Sequence, residues 1–492
     1  MNELLKFSHD RDADFRKSCN DLQSRIDAFV ENPMLDDWYI HFEDNYFLPR
    51  DIVKQQMKVF LSRKYDYRGC SFHKVLLPLE RFKLAIKHTL YLLFVLFFSR
   101  SYPGKIKSFN LIAHCISKID CDRLFSLMAL FGRENVLIIT DKNMNMPEHK
   151  ILYQPKHKLC DRKETSRVIF NEIAKGLTLY LFLSNKAGIN LVPIANDIVK
   201  RYLYAYTVFK YNRSKYYVEQ RQYETSAVRN HIFRKYGGAY ACCTQTNIQQ
   251  LGINGFYFDM DVFFAFGKKS ADWVHEYGAR IDHVVPVGST AMECYYFKRN
   301  IKRSRNCKYD IIYFTIKAPM AFHIMDAYSS FMDDYYSSFQ WLAEYSKKNP
   351  HLRIGIKHHP TFIFDERERK ITDGSSIDYI DQTLNSYEFA FQTKCAVTFG
   401  STMGHELLGH NIHLLYMDPG CRNVFLPDKD DSLLGPYRVT DYDDFSQKLH
   451  ILLSGQSLEG ASNIDKADFC LESNKVCERI YSWFLSSTGN PQ

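Results

Sequence analysis

From about residue 105 the chain alternates short apolar, β-rich runs with helical stretches, and it does so twice, on either side of a basic segment at 298–308. That alternation restricts the fold more than any other feature. Strands separated by helices pair side by side in parallel, with helices covering both faces of the sheet. In the first unit, strands are read at 109–115, 135–140, 239–243, 256–266 and 283–287. Helices are read there at 121–131, 169–185, 198–211 and 231–236, the last turning through Gly237-Gly238. In the second unit, strands at 310–316, 352–357, 395–399, 412–417 and 438–441 alternate with helices at 338–347, 403–409 and 442–453, and a helix near 475–484 follows. The expected fold is therefore α/β: two Rossmann-like domains facing a cleft, at 105–297 and 298–492, with a helical appendage at 1–104. Two such domains also suit a chain of 492 residues, which is too long for one ordinary core. Lys298, Arg299, Lys302, Arg303, Arg305 and Lys308 make the intervening segment a solvated linker.

Net charge is +8. A mildly basic surface suits anionic partners such as a nucleotide diphosphate, an acidic glycan or an anionic membrane face. No zinc-finger spacing, RNP-like aromatic motif or long Lys/Arg tract is present, so nucleic acid is not an expected partner. The 13 cysteines include no C-x-x-C pair, and Cys242-Cys243 are adjacent, which fits a reducing, cytoplasmic compartment. The N-terminal residues are polar and charged, unlike a signal peptide. The nine-residue apolar run at 90–98 is about 14 Å long as a helix, against the roughly 30 Å of a bilayer core. It reads first as a buried helix or strand. The alternative is a shallow membrane-surface contact over 81–107, because Arg81, Lys83 and Lys87 precede the run and Arg100, Lys105 and Lys107 follow it.

Two motifs in the second unit carry chemistry. RIGIKHHP at 353–360 is an apolar strand ending in Lys357, His358, His359 and Pro360. Ligands of open α/β sheets bind beyond the carboxyl ends of strands, and a cation with two imidazoles there can hold the phosphate of a leaving nucleotide. VTFGSTMGHE at 397–406 runs from a strand through Gly400 into Ser401 and Thr402 at a helix start. Glycine permits close backbone approach, and the hydroxyls and free N–H groups form an anion seat. Glu406, one turn into that helix, is placed to reach ribose hydroxyls. A third segment, HVVPVGST at 283–290, sets Gly288 and Ser289 at a strand-to-loop corner just before the linker.

Asp259-Met260-Asp261 matches D-x-D, but its apolar and aromatic flanks argue against a metal role, and no divalent metal or other cofactor is expected. A transferase needs a carboxylate or imidazole near the acceptor oxygen. From the first unit, Glu224 is the first candidate base and Asp141, at the end of a buried strand, the second.

The stretch from about 230 to 420 resembles the GT-B transferases of bacterial surface-polysaccharide assembly. These include polysialyl- and Kdo-transferase-like enzymes and the glycerophosphotransferases of teichoic-acid assembly. K-H-H-P is similar to their His-Pro motif, which implies that His359 contacts the nucleotide phosphate and takes part in catalysis. G-S-T followed by a helix is similar to their phosphate loop, here Ser401 and Thr402. The paired acidic base motif of bacterial sialyltransferases has no counterpart in the first unit; Thr372-Asp373-Gly374 has one carboxylate and lies in the second. The resemblance implies transfer of a sugar from a nucleotide-activated donor, CMP-linked first and UDP-linked second, to a glycan or lipid-linked glycan acceptor. The alternatives are a CDP-glycerol- or ribitol-type phosphotransferase on the same fold and a non-enzymatic assembly protein.

Overall fold

The computed structural model describes residues 15–68, 78–102, 104–140, 150–153, 159–222, 225–246, 257–276, 278–299, 308–315, 328–360, 365–399, 401–421 and 433–487. Seven strands build the first sheet: β1 (Leu111–His114), β2 (Val136–Thr140), β3 (Lys150–Tyr153), β4 (Tyr216–Glu219), β5 (Tyr240–Thr244), β6 (Asp259–Ala265) and β7 (Arg280–Pro286). Six build the second: β8 (Tyr309–Phe314), β9 (Ile354–Lys357), β10 (Ile377–Ile380), β11 (Thr393–Thr398), β12 (Leu414–Met417) and β13 (Arg438–Val439). The first runs in the order β7-β6-β5-β4-β1-β2-β3 and the second β10-β9-β8-β11-β12-β13. Every pairing in both is parallel. The two Rossmann-like units expected from the alternation are thus present.

Each order reverses once. In the first sheet the chain moves outward from β1 through β2 and β3, then from β4 the other way. In the second it moves from β8 through β9 to β10, then from β11 the other way. The reversals lie between β1 and β4 and between β8 and β11, and at such switch points the following loops diverge and leave a crevice beyond the carboxyl ends.

Both faces of the first sheet are covered, as parallel strands require. Successive residues of β1 and β2 point to opposite layers. Ile112, Leu137 and Ile139 enter a core shared with the helices α1 (Phe15–Val30), α2 (Asp36–Tyr46), α3 (Arg50–Arg68), α4 (Pro78–Phe98), α6 (Arg162–Asn171), α7 (Leu177–Ala187), α8 (Val192–Tyr211) and α9 (Ala227–Lys235). Leu111, Ala113, Val136 and Ile138 pack instead on α5 (Lys118–Leu130) and on Val476, Cys477, Ile480 and Phe484 of α17 (Val476–Ser487). The last described helix therefore lies on the first sheet. The second sheet has its own core, with α12 (Tyr328–Lys348) and α16 (Tyr442–Leu453) contributing Phe339, Leu342 and Phe445. Shorter helices α10 (Ser270–Glu276), α11 (Thr290–Tyr295), α13 (Glu366–Thr372), α14 (Ser386–Ala390) and α15 (Met403–Leu408) complete the set named here.

The run at 90–98 forms the last turns of α4 and is not buried all round. Leu92 and Val95 face the core, whereas Leu90, Phe94, Phe97 and Phe98 face outward. No described helix is long and apolar enough to cross a membrane. The segment read as one helix at 169–185 is α6 and α7 joined by a π turn, Glu172–Gly176. The turn carries Glu172 into the helical core, where its carboxylate faces His88 Nε2 at 2.9 Å and His41 Nε2 at 3.4 Å and accepts from the hydroxyls of Tyr180 (2.7 Å) and Tyr46.

Candidate functional site

The carboxyl edges of the two sheets meet at one junction. Ser289, at the corner after β7, caps α11 by accepting from Met292 N–H (3.1 Å) and donates its hydroxyl to Glu406 Oε1 on α15, in the loop-helix region that follows β11. Tyr387 on α14 donates to both Glu406 oxygens, at 3.1 and 3.0 Å. Gly288 adopts φ +96°, and a Cβ there would approach Leu471 O and Ser473 Oγ to 3.0 Å, so the chain returning toward α17 needs a glycine at this corner. Gly288, Ser289 and Glu406 thus sit where the units are joined. Burial raises the Glu406 carboxyl to about 7 from an ordinary 4.5, and the Ser289 and Tyr387 hydroxyls and the charge of Arg123 offset part of that rise.

A carboxyl raised in this way holds more protons folded than unfolded between those two values, so its contribution to stability falls as pH climbs through that window. Glutamine keeps an acceptor for both hydroxyls and has no charge to bury. Glu406→Gln should therefore flatten the stability–pH slope between pH 4.5 and about 7 and leave the protein at least as stable as wild type above it. Urea midpoints across that range check this; an unchanged slope would show that Glu406 does not titrate there.

The motif at the end of β9 divides its side chains. Lys357 is buried, and its ammonium donates to the carbonyls of His358 (3.1 Å) and Gln382 (2.9 Å). Burial lowers its amine to about 8, against a small opposing pull from Asp381. His358 turns into the helical layer: Thr315 Oγ1 lies 2.9 Å from Nδ1 and Glu368 Oε2 3.2 Å from Nε2, while Tyr335 donates to the other Glu368 oxygen at 2.6 Å. His359 and Pro360 are exposed beyond the strand end. One imidazole of the pair therefore holds the fold, and the other faces solvent beside the second switch point.

After β11, Ser401 and Thr402 are half-buried, and Gly400 lies outside the described residues. Ser401 N–H donates to Thr398 Oγ1 at 3.3 Å, and Met403 N–H to Ser401 Oγ at 3.4 Å. α15 has only six residues, so its dipole adds little to an anion seat. The loop's attraction for phosphate then rests on its position at the switch point and on His359, beyond the end of β9 two strands away, because the Lys357 ammonium is committed to the His358 and Gln382 carbonyls. Gly404 is packed against Tyr416, whose Cε1 stands 2.5 Å from where a Cβ would be, which fixes the start of the helix.

The first sheet carries a cluster that sequence reasoning missed, and it too stands at a switch point. His114 ends β1, Glu219 ends β4, and the two are paired in register. His114 Nδ1 lies 2.9 Å from Glu219 Oε1, and Arg229, on the first turn of α9, pairs with the same carboxylate oxygen. Arg229 Nη1 also approaches Nδ1, at 3.4 Å, but the shorter contact to a carboxylate places the ring hydrogen on Nδ1. That leaves Nε2 as the proton acceptor. Nε2 is buried and has no hydrogen-bond partner among the described residues, and neither amide atom of the adjoining Gln220 has one. Burial raises the Glu219 carboxyl, but Arg229 and His114 more than offset it and hold the group below its ordinary range. Arg221 continues the cluster to α5, donating from Nε to Asp120 Oδ1 at 3.0 Å and from Nη2 to Ser117 Oγ at 3.1 Å. The signal was present in the sequence: LIAH is an apolar run ending in a histidine, the pattern that singled out K-H-H-P.

Glu224 and Asp141 lie outside the described residues. The D-x-D carboxylates are paired with arginines. Asp259 faces Arg234 (3.3 Å) and Arg280 (3.6 Å), and Asp261 faces Arg234 (3.3 Å) and accepts from Ala241 N–H (2.6 Å).

No family model matches the sequence, and no curated protein does. Solved structures do match. The chain is similar to a UDP-GlcNAc 2-epimerase from Neisseria meningitidis bound to UDP-GlcNAc, with TM-score 0.43 and 8% identity over 77% of this chain and 100% of that one. It is similar to S. aureus MnaA in complex with UDP, with TM-score 0.41 and 10% identity over 79% and 99%. It is also similar to a point variant of the wall teichoic acid polymerase TagF soaked with CDPG, with TM-score 0.45 and 7% identity over 84% and 98%. At these scores the likeness is a description, and the functional reading rests on the residues above.

Proposed function

We propose that the protein is a GT-B-type glycosyltransferase that moves a sugar from a nucleotide-activated donor to a surface-glycan acceptor without a divalent metal. The observation that supports this reading is that chemically suited groups stand at both switch points: His359, Ser401 and Thr402 at or beside one, and His114 held by Glu219 and Arg229 at the other. In the reaction, the bond from the donor phosphate oxygen to the anomeric carbon breaks, and the acceptor oxygen bonds to that carbon. The acceptor proton passes to His114 Nε2. The nucleotide departs with the bonding electrons, and its phosphate charge is met by His359 and by the Ser401 and Thr402 hydroxyls. The resemblance of K-H-H-P favours a CMP-linked donor over a UDP-linked one. Closure of the two units excludes water and limits hydrolysis.

His359 is exposed, so its removal should spare the fold. His359→Ala should lower kcat for nucleotide release by about 10²-fold or more, with an unchanged unfolding midpoint. The assay runs a panel of CMP-sugars, UDP-sugars and CDP-glycerol. Full turnover in the variant would remove His359 from the reaction, and CMP release from CDP-glycerol without sugar transfer would move the assignment to a phosphotransferase.

A further inference from the structure

The outer face of the helical layer carries a run of large apolar side chains that the proposed reaction does not use. On α4, Phe82, Ile86, Leu90, Phe94 and Phe98 recur every four residues and all face outward, with Phe98 73% exposed. Each four-residue step overshoots a full turn by about 40°, so the row winds gradually across the outward side of the helix over roughly 24 Å. The opposite side, with Ala85, His88, Leu92 and Val95, is buried. The neighbouring α6–π turn–α7 segment runs antiparallel to α4: Glu172 meets His88 at 2.9 Å, and Cys160, just before α6, meets the Val95 carbonyl at 3.8 Å. That segment also turns large apolar groups outward, with Phe170 at 72% and Ile173 and Phe182 about half exposed. Two adjacent helices thus present large apolar side chains outward.

The charges on this face have one sign. Among the described residues, every exposed charged side chain at positions 82–98 and 162–187 is a cation: Lys83, Lys87, Arg162, Lys163, Lys175 and Lys186. The acidic residues there, Glu164 and Glu172, are both buried. Lys186 Nζ lies 4.4 Å from the Phe182 ring centroid, so cation and apolar surface are interleaved. Lys105 and Lys107, either side of exposed Ile106, add to the same sign just past α4.

We propose that this two-helix face docks the protein in plane on an anionic lipid bilayer. Large exposed apolar side chains interleaved with cations on a helix-built surface suit insertion at the headgroup–acyl boundary, with the lysines reaching lipid phosphates. A second copy fits less well, because a two-fold contact would set this cationic rim against itself. The Glu172 cluster fixes α4 against the π turn, so the face is rigid before it meets the membrane and loses little ordering entropy on docking.

Full-length protein is floated with phosphatidylcholine vesicles and with vesicles containing phosphatidylglycerol. It should rise with the anionic vesicles only, and salt should weaken the association. Leu90→Glu with Phe94→Glu should cut binding roughly tenfold or more, and Phe170→Glu should cut it too, because insertion scales with apolar area on both helices. These positions are exposed, and an unchanged circular dichroism spectrum and melting temperature confirm that the variants fold. The proposal is overturned if neither vesicle retains wild type, if the double variant binds like wild type, or if wild type is a dimer without lipid that the double variant converts to a monomer.

Discussion

His114→Asn is expected to lower kcat for nucleotide release by about 10²- to 10⁴-fold while leaving donor affinity and the unfolding midpoint near wild type. The range is that of a lost general base. Nε2 is the only proton acceptor the ring offers once Nδ1 has donated to Glu219, and asparagine puts no group of comparable basicity in its place. The Glu219–Arg229 pair survives the change, so the edge of the sheet stays ordered and the loss is confined to chemistry. Glu219 acts through the ring as a positioning residue. Glu219→Gln should lower kcat with KM near wild type, because the amide no longer holds the ring with its hydrogen on Nδ1 and Nε2 free to accept. A His114 variant turning over at the wild-type rate would take this cluster out of the mechanism and return the base to Glu224 or Asp141.

The second large effect is on stability. Glu172→Ala should cost about 3–5 kcal/mol, because it strands His88, His41, Tyr180 and Tyr46 around a void in the helical core. Burial alone would raise the Glu172 carboxyl, but the bonds from His41 and His88, with Tyr46 behind them, hold it at about 2 against an ordinary 4.5. A depressed carboxyl contributes stability that is fully present above its unfolded value and is lost as pH falls through its folded one. Wild type should therefore lose stability between pH 4.5 and about 2 by a slope that Glu172→Ala lacks. Urea unfolding followed by circular dichroism measures both effects. A loss under about 1 kcal/mol would mean that the cluster adds no more than an exposed pair would.

The sheets were largely legible because their central strands are long apolar runs bounded by turn residues. NVLIIT and DIIYFTI are examples, and in each the polarity change falls where the strand ends. K-H-H-P and G-S-T were legible for the same reason, since polar groups at the carboxyl end of such a run stand out. β4 was not. It is the four-residue YYVE, preceded by the polar Asn212-Arg213-Ser214-Lys215, and so short a run shows neither alternation nor sustained hydrophobicity. Missing β4 hid the first switch point, and with it the meaning of His114 at the end of β1. The π turn was equally hidden, because one inserted residue barely disturbs a helical pattern, and the partners that stabilise Glu172 there come from α2, α4 and α7. The division of labour between His358 and His359 depends on Thr315 and Glu368, groups far from the motif in sequence or beyond its strand.

The nucleotide seat at the second switch point is the claim on which the rest depends, and titration calorimetry with CMP, CDP, UDP and GDP tests it most directly. Wild type should bind one of the four, and the double substitution Ser401→Ala with Thr402→Val should weaken that binding by roughly tenfold or more without lowering the melting temperature. Heat from none of the four, or equal affinity in wild type and the double variant, would contradict it.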